Sequence, residues 1–428
     1  MNESKEKNYL SILTEELLPA LGCTEPIALA YASAKCREVL GETANEIEAC
    51  CSANIIKNVK GVVVPNCGGQ KGIETAVAAG MLFGNANAGL EVLEGITQEE
   101  VPEIAKYVST HKIGVELLQT SAKLHFVIKM KGKSNSALIE VIHQHTNIVR
   151  IEKNGEVLLD VPHAEEEINE SLSDRSGMSV ASIVEFAESV PFEKLVPILK
   201  RQIECNSAIC EEGLKNKWGA EVGKTILAGV SGVATRDIVS VAVATAAAGS
   251  DARMSGCSLP VVINSGSGNQ GITVSVPVIV SAREHGYSEE KLYRGLAISN
   301  LLAIHQKTKI GRLSAYCGAV CAACGSGAAI TWMEGGTIAQ IEDTIVNTLA
   351  TISGMICDGA KPSCAGKIAV AVNAAFIAHE MAMHNRSYSA GDGIVKDDIE
   401  ETVSGIGQIA SDGMRDTDKV ILDVMLEK

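Results

Sequence analysis

Aromatic side chains are scarce in this 428-residue chain, where five Phe, two Trp and seven Tyr make up only 3% of the residues. A core with so few large rings is filled by smaller residues. Ala, Gly, Val and Ile are plentiful, which predicts helices packed closely enough for their backbones to approach. Positive charge is also in deficit: 37 Lys and Arg stand against 52 Asp and Glu, a formal net charge of -15. Nucleic acid and anionic membrane surfaces would be repelled, so the expected partner is a small molecule. A secretory signal is missing as well. The opening MNESKEKNYLSILTEELL carries charge at Glu3, Lys5, Glu6 and Lys7 and has neither an apolar core segment nor a small-residue cleavage site. Long strongly hydrophobic runs are absent too. The uncharged stretches at 238–250 and 313–333 invite a membrane reading, but the second is diluted by Gly, Ser, Cys and Ala, and a buried helix is expected there. Together these absences predict a cytoplasmic protein with no membrane partner, and a homo-oligomer is compatible with them.

Cysteine, by contrast, is abundant, with thirteen in the chain. The cytosol keeps thiols reduced, so a disulfide framework is not expected; some of these residues are small buried hydrophobes, and the rest need a metal or a reactive role. In LSAYCGAVCAACGSGAAITWME, residues 313–334, Cys317, Cys321 and Cys324 are spaced C-x3-C-x2-C. Radical S-adenosylmethionine enzymes carry this spacing in an early loop. Here it falls late, in a helix-compatible run at i, i+4 and i+7, where a stripe of packed residues is equally well served. Spacing alone leaves open whether all three or only one binds a metal. A second pair, Cys357 and Cys364 in ICDGAKPSCAGK, lies in a Gly- and Pro-broken loop whose side chains can converge on a metal, with Asp358, Lys361 and Lys367 at hand to hydrogen-bond around it.

The chain reads as α+β, a largely helical catalytic body with a small antiparallel β module inserted in the N-terminal half. Residues 1–110 form an α/β segment carrying GCTEP and NCGGQKG, residues 111–165 a β-rich module, and residues 166–428 a helical catalytic domain. Alternation suggests strands across 46–65, and a helix is expected from near Ile73. Period-two patterning with turn signals at 131–133 and at Asn154-Gly155 marks the β module. Residues 163–177 read as a polar linker, and helical patterning dominates after Ser179.

One internal echo stands out. VVVPNCGGQKGI (62–73) and VVINSGSGNQGI (261–272) each read as strand, Gly-rich turn and helix start. Gly266, Gly268 and Gly271 spell G-x-G-x-x-G, but helical patterning follows where a dinucleotide fold needs a second strand ending in an acid. What survives is an anion nest of backbone N–H groups at a helix N-terminus, suited to a carboxylate. Asn66, Gly68, Gly69, Lys71, Asn264, Ser265, Gly266, Gly268 and Asn269 are therefore candidate substrate-binding residues. Arg253 and Lys361 are candidate cations beside the anion, each also readable as a salt-bridge partner. Cys23 in GCTEP precedes Pro26, a residue suited to a first helical turn, and a cysteine at a helix N-terminus is expected to favour the thiolate. His143 and His145, at i and i+2, read as sheet residues.

Several of these blocks are long and unusual: LGCTEPIALAYA, NCGGQKGI, SDARMSG followed by NSGSGNQGI, GRLSAYCGAV, SGMICDGAKPSCAGKIA and GMRDTDKVILDVM. On them the chain resembles the iron-sulfur L-cysteine desulfidases, relatives of the iron-sulfur L-serine dehydratases. The resemblance implies a 4Fe-4S cluster held by Cys317, Cys357 and Cys364, with Cys321 and Cys324 as packing, and Cys23 as the base that takes the Cα proton. It implies β-elimination on a small L-amino acid without pyridoxal phosphate, and no lysine stands out as a Schiff-base former. Three thiolates leave one iron open as a Lewis acid. Some of the related dehydratases carry a further C-terminal cysteine that caps this iron, whereas VMLEK has none. L-serine as substrate, or an iron-sulfur or zinc sensor without lyase activity, are the alternatives.

Overall fold

In a computed structural model of the protein, residues 2–165, 173–230, 237–311 and 313–426 are described. Part of the expected 163–177 linker lies outside them. The strands are β1 (Pro19–Leu21), β2 (Glu46–Cys51), β3 (Lys112–Leu117), β4 (His125–Lys131), β5 (Ser136–Ile142), β6 (Ile148–Lys153), β7 (Glu156–Asp160) and β8 (Pro260–Val262). Helices fill most of the remainder, so the α+β reading holds.

Six strands form one sheet in the order β3-β2-β4-β5-β6-β7. Pairing is antiparallel from β2 through β4, β5 and β6 to β7, but β2 and β3 run parallel. The sheet is therefore mixed rather than purely antiparallel. The chain leaves β2 through the helices Ala53–Val59, Gly72–Phe83 and Val101–Thr110 before returning as β3, a crossover long enough to restore the same direction. Alternation is visible in β4, where Phe126, Ile128 and Met130 are buried and face the core. The helix Thr24–Leu40 covers that side by packing on β4 and β5.

Only the first part of 46–65 is strand. Residues after Ser52 turn into the helix Ala53–Val59, because Ile55 and Val59, four apart, bury the same side. From residue 180 the body is helical apart from β8. Its central helix, Gly318–Met333, packs on the helices Gly268–Glu284, Glu289–Ile310, Ile338–Ile352 and Cys364–Met383, and its small residues are almost all buried. Here is the close-packed core that the shortage of aromatics predicts. Among the described residues no helix is long and apolar enough to cross a membrane.

β1 and β8 join the N-terminal segment to this body. They pair antiparallel, Pro19 opposite Val262 and Leu21 opposite Pro260, and the Ile263 N–H extends the ladder to the Leu18 carbonyl at 2.9 Å. Antiparallel pairing sends the two chains out at opposite ends of this ribbon, but the residues after β1 and those after β8 turn back to meet, Thr24 against Gly266, and the candidate site lies there.

Candidate active site

Thr24 and Gly266 are 242 residues apart in sequence, yet the Thr24 hydroxyl donates to the Gly266 carbonyl at 2.7 Å. This bond seats GCTEP against the second glycine-rich turn. Around the junction lies a cavity of about 100 Å³ lined by Cys23, Arg253, Ser265, Cys317, Cys357 and Cys364, among others. Four helices direct their first turns at it: Thr24–Leu40, Gly268–Glu284, Gly318–Met333 and Cys364–Met383. Each N-terminus carries a partial positive charge and unpaired N–H groups. The lining adds the cations Lys57, Arg253, Lys307 and Lys367 against a single acid, Glu25. An acidic protein thus contains a pocket of the opposite sign, suited to anions.

The cysteine triplet divides at a helix boundary. Cys317 is the N-cap of Gly318–Met333, outside the helix and facing the cavity, whereas Cys321 and Cys324 are fully buried within it and do not line the cavity. A short antiparallel bridge, Tyr316 opposite Ile356, brings Cys317 beside the second pair. The Cys317 N–H donates to the Met355 carbonyl at 3.0 Å and the Cys357 N–H to the Ala315 carbonyl at 2.6 Å. Cys364 is the first residue of its helix. Lys367 holds the loop by donating to the Ile356 carbonyl at 2.9 Å and pairing with Asp358, which Lys361 also pairs at 2.5 Å.

Burial pushes the Cys317 thiol up to about 12, with Cys357 and Cys364 adding in the same direction. Burial also raises the Cys364 thiol. Cys317 and Cys364, kept protonated by burial, form with Cys357 a sulfur donor set whose first two thiols a metal centre would relieve of that penalty. A single tetrahedral ion with sulfur at about 2.3 Å needs its sulfurs about 3.8 Å apart. Among the described residues, the trios of donors within 4.8 Å of one another lie elsewhere. The three cavity cysteines are not such a trio as they stand, and a cluster whose thiolates bind different irons does not need them to be.

Pro26 in a first turn leads one to expect a cap at Thr24 or Glu25 with Cys23 just ahead of it; Cys23 is itself the N-cap of Thr24–Leu40. Its expected thiolate character does not follow. Burial raises the thiol well above its ordinary value, Glu25 adds to this, and Arg253 opposes it. A helix terminus contributes about 0.3–1 kcal/mol, at most about 2, which full desolvation outweighs. The thiol donates to Glu25 Oε2 at 3.0 Å, and Glu25 Oε1 accepts from Asn58 at 3.1 Å.

Unsatisfied polar atoms give the clearest sign of a site. Asn58 Oδ1, Arg253 Nε, Asn269 Oδ1, Gln270 Oε1 and the Tyr316 hydroxyl are buried without a partner, and all five residues line this cavity. Buried polar atoms are ordinarily satisfied, so a concentration of exceptions marks a place where a ligand belongs. Arg253 is only 3% exposed and makes no ion pair among the described residues. It is thus not a structural salt-bridge partner, whereas Lys361 is.

The nine candidate substrate-binding residues separate into two groups. Ser265, Gly266 and Asn269 line the cavity. Asn264 braces the turn by donating to Asn300 Oδ1 at 3.0 Å, and Gly268 leaves room for Arg253, since a Cβ there would lie 2.4 Å from Arg253 Nε. Asn66, Gly68, Gly69 and Lys71 lie away from the cavity, with the Asn66 amide donating to the Leu93 carbonyl at 2.9 Å. Sequence reasoning missed Lys57 and Asn58, which sit on the helix read as strand. Lys57 is held by Asp418 at 2.5 Å, 361 residues away. His145 was also misplaced: both it and His143 lie in the turn after β5 rather than in a strand, and His145 lines the cavity.

A family model described as serine dehydratase alpha chain matches residues 87–423, most of the chain and all three cavity cysteines of the cluster-ligand reading. The chain belongs to this family. A dehydratase is a lyase, and membership gives this protein its reaction class. The chain is 51% identical over 428 residues to a UPF0597 protein of Treponema denticola, covering 100% of this chain and 99% of that relative. It is 52% identical over 420 residues to a UPF0597 protein of Lachnoclostridium phytofermentans, covering 98% and 99%. These relatives carry names without an activity, while the serine dehydratase family match does describe one.

Proposed function

We propose that the protein catalyses a non-redox β-elimination on a small L-amino acid, converting L-cysteine to pyruvate, ammonia and sulfide. The observation that carries this reading is the cavity itself, lined by Cys317, Cys357 and Cys364 together with Cys23 and with a buried Arg253 that makes no ion pair among the described residues. The three cysteines would hold a 4Fe-4S cluster, and when bound it would supply a Lewis-acidic iron for the leaving sulfur or hydroxyl. Arg253 would pair with the substrate carboxylate, assisted by N–H groups at the start of Gly268–Glu284. Asn269 and Gln270 offer buried oxygens to the substrate ammonium. Holding both ends of the amino acid fixes the direction of its Cα–H bond.

Cys23 would take the Cα proton in its thiolate form. Loss of that proton from Cα and of hydrosulfide from Cβ leaves aminoacrylate. This tautomerises to the imine and adds water to give pyruvate and ammonia. Because burial and Glu25 keep a proton on Cys23 in the free protein, turnover is expected to rise with pH. L-serine is the second reading, favoured by the family's description. Hydroxide departure needs the same groups.

The test is an anaerobic assay of iron-reconstituted protein with L-cysteine and L-serine, following pyruvate and sulfide. Pyruvate with sulfide from L-cysteine, at equal rates in wild type and Cys321→Ala but absent in Cys317→Ala, supports the proposal. Pyruvate from L-serine alone replaces the substrate. Silence with both from a fully iron-loaded protein overturns the lyase reading in favour of a sensor.

A further inference from the structure

A second constellation of donors lies on the β sheet. His125 begins β4, Glu140 lies on the neighbouring β5, and His163 follows β7; the three offer ligand atoms that lie within 4.8 Å of one another. His125 Nε2 lies 2.8 Å and His163 Nε2 3.5 Å from the same oxygen, Glu140 Oε1. The opposite nitrogen of each ring is engaged on its outer side. His125 Nδ1 bonds the Thr120 hydroxyl at 3.0 Å, and His163 Nδ1 donates to the Val161 carbonyl at 3.0 Å. The Val161 carbonyl can only accept, which fixes the His163 tautomer that leaves Nε2 available, and the Thr120 hydroxyl can accept from His125 Nδ1 in the same way; metal-binding histidines almost always have such an outer partner.

We propose that His125, Glu140 and His163 bind a divalent transition-metal ion of the zinc class. Ligand bonds of about 2.0–2.2 Å in tetrahedral geometry put neighbouring donors about 3.4 Å apart. The His163 distance already matches, and the His125 distance requires an opening of roughly half an ångström. Arg150 faces Glu140 across the β5–β6 ladder, but its guanidinium is engaged by Glu152 at 2.5 Å. Two imidazoles and one carboxylate leave a fourth position for water. The ion would tie the chain after β7 to the β4–β5 face, three residues before the turn that carries His143 and His145. This inference does not rest on the proposed elimination.

The test is zinc analysis and zinc-edge X-ray absorption on the full-length protein, after zinc loading and dialysis, in wild type, Glu140→Gln and His163→Ala. Expected is one zinc per chain with nitrogen and oxygen neighbours, lost in both variants. His163 is on the surface, so its variant should keep the fold by circular dichroism, and Thr120→Val should weaken zinc roughly 10- to 100-fold without changing the stoichiometry at saturation. Zinc bound only through sulfur, a count unchanged in His163→Ala, or no zinc retained by wild type would each overturn the assignment.

Discussion

The turn at 66–72 and the turn at 264–268 use nearly the same letters, and each is closed by an isolated bridge, Val63 to Lys71 in one and Asn264 to Ser267 in the other. Both carry left-handed residues, Asn66 and Gly69 in the first, Ser265 and Gly266 in the second. They differ in what their polar groups do. In the first, the Asn66 amide is satisfied by the Leu93 carbonyl and Lys71 is exposed to solvent. Beside the second, Arg253 Nε and Asn269 Oδ1 are buried and unsatisfied. A glycine-rich turn ahead of a helix is a backbone solution to a change of direction, and it becomes a binding site only where buried charge is left for a ligand to meet.

The largest separation of the two turns is expected from their cations. Arg253→Ala should lower kcat/KM for the amino acid roughly 10- to 150-fold, mostly through KM, because hydrogen bonds to charged groups are worth about 1.5–3 kcal/mol. Lys71→Ala should leave kcat/KM within about twofold, as surface substitutions usually do. Equal losses from the two variants would show that the first turn also meets substrate.

Glycine substitution sharpens the contrast by giving both turns a stability cost. A Cβ at Gly268 would lie 2.4 Å from Arg253 Nε and 2.5 Å from Val261 Cγ2, so Gly268→Ala is expected to cost about 1–3 kcal/mol by overpacking. At Gly69 a Cβ meets nothing within 4 Å, but φ of +82° makes Gly69→Ala cost about 1–2 kcal/mol by strain. Denaturant midpoints should therefore fall in both, while KM rises, by roughly tenfold for a displaced charged hydrogen bond, in Gly268→Ala alone. An unchanged KM in that variant would separate Gly268 from the positioning of Arg253.

How much of this was legible in the sequence depended on range. Local chemistry read well: the Gly- and Pro-broken loop of Cys357 and Cys364, the helix start at Thr24, and the period-two strands all depend on neighbours. The β2–β3 parallel pairing did not, because a crossover through three helices leaves no mark on either strand's alternation. Lys57 and Asn58 were hidden because a seven-residue helix is too short for periodicity to distinguish from a strand. Arg253 could be named as a cation but not distinguished from a salt-bridge partner, since its having no ion pair among the described residues is a property of the packed fold. Cys23 shows the converse: its N-terminal position was correctly read, while its protonation is dominated by burial that sequence does not reveal.

The smallest and most diagnostic effect is on pH dependence and concerns the GCTEP joint, which the second turn meets through the Thr24 hydroxyl. Burial raises the Cys23 thiol, the Glu25 carboxylate raises it further, and Arg253 lowers it. If the thiolate is the base, kcat/KM must climb as pH rises through the Cys23 pKa. Removing the Glu25 charge in Glu25→Gln removes an influence that favours the protonated thiol, so the climb should move to lower pH. Arg253→Ala should move it to higher pH, alongside its rise in KM. Lys71→Ala, beside the turn that does not line the cavity, should leave the profile where it is. A profile that ignores Glu25→Gln, or follows it to higher pH, would remove Cys23 from the role of base and leave the proton to another cavity group.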